Sequence, residues 1–143
     1  MARYRTTVHS SRNADDAFEY MAAFEHSAEW DPGVAEAERL TDGPVGLDTR
    51  FRVVTLFMGR RIPLEYRVTT FGPGRRVVVT AESSSLRSVD EITVEPDGDG
   101  SVMTYDADLS LRGAFALFSP LLGVAFKRIG DRAQGGLRRE LNR

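Results

Sequence analysis

The spacing of apolar residues changes period along the chain, and each change marks out an element. From Arg3 to His9 the residues alternate, with Tyr4, Thr6 and Val8 on one side and Arg3, Arg5, Thr7 and His9 on the other. A period of two is that of a strand with one buried face. Asn13 then offers a helix N-cap, and Asp15 and Asp16 fall in the first turn, where carboxylates suit the helix dipole. Ala14, Ala17, Phe18, Met21 and Ala22 share one helical face. A short second helix is expected over residues 25–29, stopped at Trp30-Asp31-Pro32-Gly33.

From Val34 the period returns to two. Six strands are expected at residues 34–40, 49–58, 62–71, 75–82, 86–95 and 102–111. They are divided by Asp42-Gly43-Pro44, Gly59-Arg60, Gly72-Pro73-Gly74, a run of serines and Asp97-Gly98-Asp99-Gly100. The last of these is the clearest hairpin turn. At Ser119 the helical period resumes. Ser119 suits an N-cap, and Pro120 suits the first helical position, where its missing N–H costs nothing. Leu122, Phe126, Ile129, Ala133, Leu137 and Leu141 then form one apolar stripe. This predicts a terminal helix of about 22 residues, about 33 Å long.

Sequential strands joined by short turns pair antiparallel. The expected architecture is therefore α+β in one domain over residues 1–143: a curved antiparallel seven-stranded sheet wrapped around a long C-terminal helix, with two short helices after strand 1. Four strands show a readable inward phase: Phe51, Val53, Thr55 and Phe57; Ile62, Leu64, Tyr66 and Val68; Val77, Val79 and Ala81; Met103, Tyr105, Ala107, Leu109 and Leu111. These faces meet the stripe of the terminal helix, and a bent sheet gripping one helix often leaves a cavity between them.

Composition narrows the function classes. A net charge of −2 argues against a dedicated nucleic-acid binder, and the absence of cysteine excludes disulfides, thiolate metal sites and a cysteine nucleophile. The start, MARYRTTVHSS, lacks the apolar core of a secretion signal. The apolar stretch from Ala114 to Phe126 is broken by Ser119, Pro120 and Gly123 and is too short to span a bilayer. A cytoplasmic location without stable membrane insertion is the expectation. Two histidines, His9 and His26, at no ligand spacing give no metal site, and no cofactor fingerprint is present.

The order of elements, together with ADDAFEYMAAFEHSAEWDPGV, RSVDEITVEPDGDGSVMTYDADLSLRG and SPLLGVAFKRIGDRAQGGLRREL, resembles the START-like, or SRPBCC, superfamily with its helix-grip fold. The likeness is strongest to its small members described as polyketide cyclase/dehydrase or lipid-transport proteins. The resemblance implies a deep, mostly apolar pocket between sheet and terminal helix. Its walls here would be Trp30, Phe51, Val53, Thr55, Phe57, Leu64, Tyr66, Val79, Ser88, Asp90, Tyr105, Leu109, Phe118, Leu122, Phe126 and Ile129. Members that cyclise polyketides orient the chain with pocket tyrosines, an arginine and hydroxyls. Here Arg52 and Arg67 take the outward phase, Arg112 lies past a strand end, and no arginine is clearly inward.

Asp90 is the sharpest departure from pattern. Arg87, Glu91 and Glu95 mark the solvent face of their strand, so Ser88, Asp90, Ile92 and Val94 face inward. A carboxylate in an apolar cavity has its pKa raised by desolvation and can serve as acid or base. The alternative is a carboxylate hydrogen-bonded to its neighbours or turned outward by a bulge. Tyr66 and Tyr105 are candidate donors to a ligand carbonyl, or core tyrosines reaching the rim. Trp30 is a portal wall or a core plug. His26 is a base near the portal or, more simply, a helix-end residue with nothing spaced to orient it. The arginines of the terminal helix read as a solvated face. Phe115, Leu117, Phe118, Leu121 and Val124 exceed what one stripe needs, and suit core packing, a gate, a homodimer contact or a membrane-touching lip.

Three functions follow. The first is binding of a hydrophobic small molecule, such as a lipid, polyketide or related metabolite. The second is a cyclase or dehydratase in which Asp90 is acid/base and Tyr66 and Tyr105 hold the carbonyl. The third is an interaction module that assists a chaperone.

Overall fold

The computed structural model of the chain describes residues 2–57, 59–113 and 119–143, with residues 57 and 119–122 described by backbone alone. The chain runs through β1 (Ala2–Ser10), α1 (Ala14–Ala22), a 3-10 turn (Phe24–His26) and α2 (Ser27–Trp30). It continues through β2 (Val34–Arg39), β3 (Arg50–Phe57), β4 (Arg60–Gly72), β5 (Arg76–Glu82), β6 (Leu86–Asp97), β7 (Gly100–Leu111) and α3 (Ser119–Leu141). The seven strands form one antiparallel sheet in the order β1-β7-β6-β5-β4-β3-β2. The strands thus follow the chain, except that β1 closes against β7, with Thr6 opposite Tyr105.

The local reasons are those the residues suggest. Asn13 caps α1 by accepting the Asp16 N–H at 2.8 Å. Asp97 and Gly100 pair across the β6–β7 turn, and Gly98 there takes the left-handed φ of +59° that a side chain would resist. Register shifts at Val34/Glu36 in β2 and Val68/Thr70 in β4 break the ladder, and such bulges bend a sheet. The short helix expected around residues 25–29 is present as a 3-10 turn that ends at His26 and runs directly into a single α-turn, which closes on the buried Trp30.

The core lies between the concave face of the sheet and the helices. Phe51, Val53, Val68, Val77, Val79, Ile92, Val94 and Met103 are sealed on the sheet side. Met21, Phe24 and Trp30 meet them from the short helices, and Ala133, Leu137 and Leu141 from α3. At about 25 cal/mol per Å2, a Leu or Phe side chain so buried contributes about 2 kcal/mol.

α3 is not uniform along its length. Its C-terminal half is sealed on its inner side and tied down by polar contacts. The Ser10 hydroxyl donates to the Leu141 carbonyl at 2.6 Å, Arg12 donates to the Glu140 carbonyl at 3.0 Å, and Gln134 donates to the Thr6 hydroxyl at 2.7 Å. In the N-terminal half Phe126 and Ile129 are only half-buried, and Val124 is 69% exposed. The glycines of α3 meet different surroundings. Gly130 lies against the Tyr4 ring on β1, but Gly136 meets the backbone of Trp30 rather than the sheet, and Gly135 faces open space.

Candidate functional site

The inner face of the sheet carries a polar chain inside an apolar wall. Asp90 on β6 points inward, as the alternation of its strand requires, and is 4% exposed. Opposite it in the ladder is Ala107, whose small side chain leaves room, and Tyr105 lies two residues along β7 on the same face. The Tyr105 hydroxyl donates to Asp90 Oδ2 at 2.6 Å, and Ser88 donates to Asp90 Oδ1 at 3.4 Å. Ser88 in turn lies 2.9 Å from the Tyr66 hydroxyl on β4. Because the single Ser88 proton is committed to Asp90, the Tyr66 hydroxyl donates to Ser88. Both phenolic protons therefore run toward one carboxylate.

A second carboxylate lies near enough for its charge to act on Asp90. Asp31 ends α2 and accepts the Gly33 N–H at 2.8 Å. A side chain at Gly33 would fall 3.1 Å from Asp31 Oδ1 and 3.6 Å from the Ile129 methyl, which places the carboxylate beside the N-terminal half of α3. Asp31 keeps part of its surface in solvent, but its carboxylate lies well inside the protein envelope.

The electrostatics follow from burial. Desolvation pushes the Asp90 carboxyl up to about 7, despite the hydrogen bonds from Tyr105 and Ser88, and the charge of Asp31 adds to the rise. Desolvation likewise pushes Asp31 up to about 6, against the lowering effect of the Gly33 N–H. Burial raises both Tyr66 and Tyr105 well above the usual phenol range, with the Asp90 charge the next cause. The arrangement can hold one proton near neutral pH and exchange it with a polar group placed against it.

Aromatic rings close the group. Trp30 meets Tyr105 edge-on at 5.2 Å, and Phe24 meets Tyr66 at 5.1 Å and Trp30 at 6.3 Å. Trp30, 1% exposed, is thus a core plug that presses on the Asp90 group.

The expected wall residues divide into two sets. Trp30, Phe51, Val53 and Val79 are packed core, and Tyr66, Ser88, Asp90 and Tyr105 are buried with them. Thr55, Leu64, Leu109, Phe126 and Ile129 remain half-buried, toward the strand ends and the start of α3. Phe118 lies outside the described residues, as do Phe115 and Leu117 and the side chains of Phe57, Leu121 and Leu122. Arg52, Arg67 and Arg112 are exposed, as their phase and position imply. His26 stacks on Tyr20 at 4.5 Å and bonds the Tyr20 carbonyl through Nδ1, far from any carboxylate relay. Asp31 was not signalled by the sequence pattern, because it sits in a turn where periodicity stops. Its position beside the only tryptophan is the sole hint.

A groove of about 890 Å3 lies elsewhere, between α1, the β2–β3 loop and the β4–β5 turn, with Phe18, Tyr20, His26, Val45 and Phe71 among its walls. None of the Asp90 group lines it, it is broadly open, and its charged rim mixes Arg12 and Arg39 with Asp15, Asp16 and Glu19. Its size reflects openness to solvent rather than a built site, and the enclosed polar chain is the better candidate. Among the described residues no three His, Asp or Glu side chains gather as a metal-holding group, and no helix is long and apolar enough to cross a membrane.

Comparison with known proteins agrees with this fold. The chain superposes on a START superfamily protein from Mycobacterium smegmatis with a TM-score of 0.79 at 12% identity, covering 99% of this chain and 97% of that one. It is equally similar, TM-score 0.79 at 16% identity, to the Zhui aromatase/cyclase from Streptomyces sp. R1128, over 97% and 92% of the two chains. A protein from Thermus thermophilus gives a TM-score of 0.75 at 15% identity, over 97% and 96%. At these identities the likeness is one of fold, the START-like helix-grip fold. No curated protein matches the sequence. The family model described as polyketide cyclase / dehydrase and lipid transport matches residues 1–142, and with a match of that length the chain belongs to that family.

Proposed function

We propose that the protein binds a hydrophobic small molecule, a lipid, polyketide or related metabolite, between the sheet and the N-terminal half of α3. One observation carries this reading. The inward faces are sealed at one end of the molecule and only half-buried at the other, where Ile62, Leu64, Leu109, Leu111, Phe126 and Ile129 keep part of their apolar surface exposed. An apolar wall with a few convergent polar groups at its base is the usual form of a small-molecule site. Native mass spectrometry of the purified protein tests it. A bound species that is lost on organic extraction is the expected result, and a protein that carries nothing and takes up no apolar probe would contradict the reading.

A cyclase or dehydratase is the second reading, favoured by the Asp90–Tyr105 contact of 2.6 Å in an apolar wall. As carboxylate, Asp90 would remove a proton from the carbon beside a ketone, leaving an enolate and a carboxylic acid. The acid would then return that proton to a departing hydroxyl as water, and the carboxylate is restored. With Asp90 protonated and donating to Ser88, the Ser88 hydroxyl can donate to Tyr66, which releases the Tyr66 proton toward a ligand carbonyl. Tyr66 would hold the carbonyl only in that state, while Tyr105 keeps its bond to Asp90. Turnover of a short poly-β-ketone thioester, lost in Asp90→Asn, is the corresponding test.

A further inference from the structure

The Asp90 group offers a ligand far more acceptors than donors, and no positive charge. Of the nineteen Lys and Arg residues only Arg12 and Arg39 are even half-buried, and both are committed elsewhere. Arg12 lies over the Tyr20 ring and donates to the Glu140 carbonyl, while Arg39 pairs with Glu25 at 2.9 Å. His9 is exposed, and His26 is stacked against Tyr20. Residues 114–122, AFALFSPLL, contain no ionisable side chain that could supply a cation. The three hydroxyls nearest Asp90, those of Tyr66, Ser88 and Tyr105, already send their protons toward it.

An apolar chain reaching this floor therefore meets the Asp90 carboxyl and the rings of Tyr66 and Tyr105, within the field of a second carboxyl, Asp31. Ammonium brings three donors and a charge that both carboxylates and aromatic faces attract. A carboxylate brings only acceptors and a like charge into a poorly solvated place, with no cation to pair it. We infer that the pocket selects apolar ligands that carry a basic amine and turns away fatty-acid carboxylates. This rests on the pocket reading above and adds to it the polarity of the ligand head.

The groups hydrogen-bonded in the Asp90 chain are Tyr105 on β7, Ser88 on β6 and Tyr66 on β4, while the charges of Asp31 at the end of α2 and of Asp106, which pairs with Arg3 on the opposite face, also act on Asp90. Protonation of the two inner carboxyls at lower pH removes the attraction, so the amine preference fades as pH falls through the range from about 7 to about 6.

The test uses three probes of one chain length, dodecylamine, dodecanol and dodecanoic acid, below their micellar concentrations. Trp30, the only tryptophan, lies against Tyr105 and reports occupancy by its fluorescence. At pH 8 dodecylamine should bind at least tenfold more tightly than dodecanoic acid, with dodecanol between them. In the Asp31→Asn/Asp90→Asn protein the ratio should fall to within about threefold. Equal or tighter binding of the acid by the unaltered protein, or a ratio that survives both substitutions, would overturn the inference while leaving the pocket in place. Binding of none of the three would overturn the pocket itself, and the selectivity with it.

Discussion

At the scale of the residue, Asp90 is held in a state that costs stability. Its carboxyl titrates near 7 when folded and near 3.8 when free. Between those values the folded chain keeps a proton at Asp90 that the unfolded chain releases, so the contribution of this one group is fullest below about pH 4 and is lost as pH rises through 7. Each unit of pKa difference corresponds to about 1.4 kcal/mol, which makes the total effect of the order of a few kcal/mol. Asn at this position keeps an oxygen for the Tyr105 hydroxyl and cannot ionise. Asp90→Asn should therefore unfold at a higher temperature than the unaltered protein at pH 8, with the gap shrinking toward pH 4 in thermal melts across that range. A variant that melts lower at pH 8 would show that the ionised carboxylate is stabilised by partners other than those named. The pattern of Arg87, Glu91 and Glu95 made the inward phase of Asp90 legible in the sequence. The pattern said nothing of Asp31, since no alternation extends into the Trp30-Asp31-Pro32-Gly33 turn and its approach to Asp90 is a matter of tertiary packing.

At the scale of the element, α3 divides into an anchored half and a half that leaves apolar surface uncovered. The adjacent glycines Gly135 and Gly136 expose the difference. Gly135 faces open space on the outer side of the helix, so Gly135→Ala should gain about 0.5–1 kcal/mol from helix propensity alone. A side chain at Gly136 would run into the Trp30 backbone, so Gly136→Ala should lose about 1–3 kcal/mol, as overpacking usually does. Chemical denaturation of the two variants checks the pair, and shifts of the same sign would contradict the packing described. The sequence marks both positions as interior helix glycines. Which of them touches a neighbour depends on where α2 crosses α3, and that crossing is not written in either helix. The short helices show the same limit: Asn13 and its apolar face announce α1, whereas no capping side chain marks the passage from the 3-10 turn at Phe24–His26 into α2.

At the scale of the whole molecule, strand order and direction follow from alternation and turn residues, because each strand but the first pairs with its neighbour in the chain. The grip on α3 is what the helix-grip resemblance implied, and the matching inner faces support it physically; the closure of β1 on β7 joins strands about a hundred residues apart and is written in neither strand's alternation. The site was legible to a lesser degree. Inward phase identifies residues that face the helix, but it does not separate those the core consumes, such as Phe51, Val53 and Val79, from those left uncovered, such as Leu64, Leu109 and Ile129. That division depends on where α2 and Trp30 fill the interior and where they stop. The central claim is that an apolar ligand lies under the N-terminal half of α3, and methyl-labelled NMR with dodecanol as the probe tests it most directly. Saturating probe should shift the methyl signals of Leu64, Leu109 and Ile129 while those of Val77, Leu137 and Leu141 stay in place. Shifts confined to the walls of the outer groove, such as Val45, or spread evenly over both halves of the helix, would contradict the account.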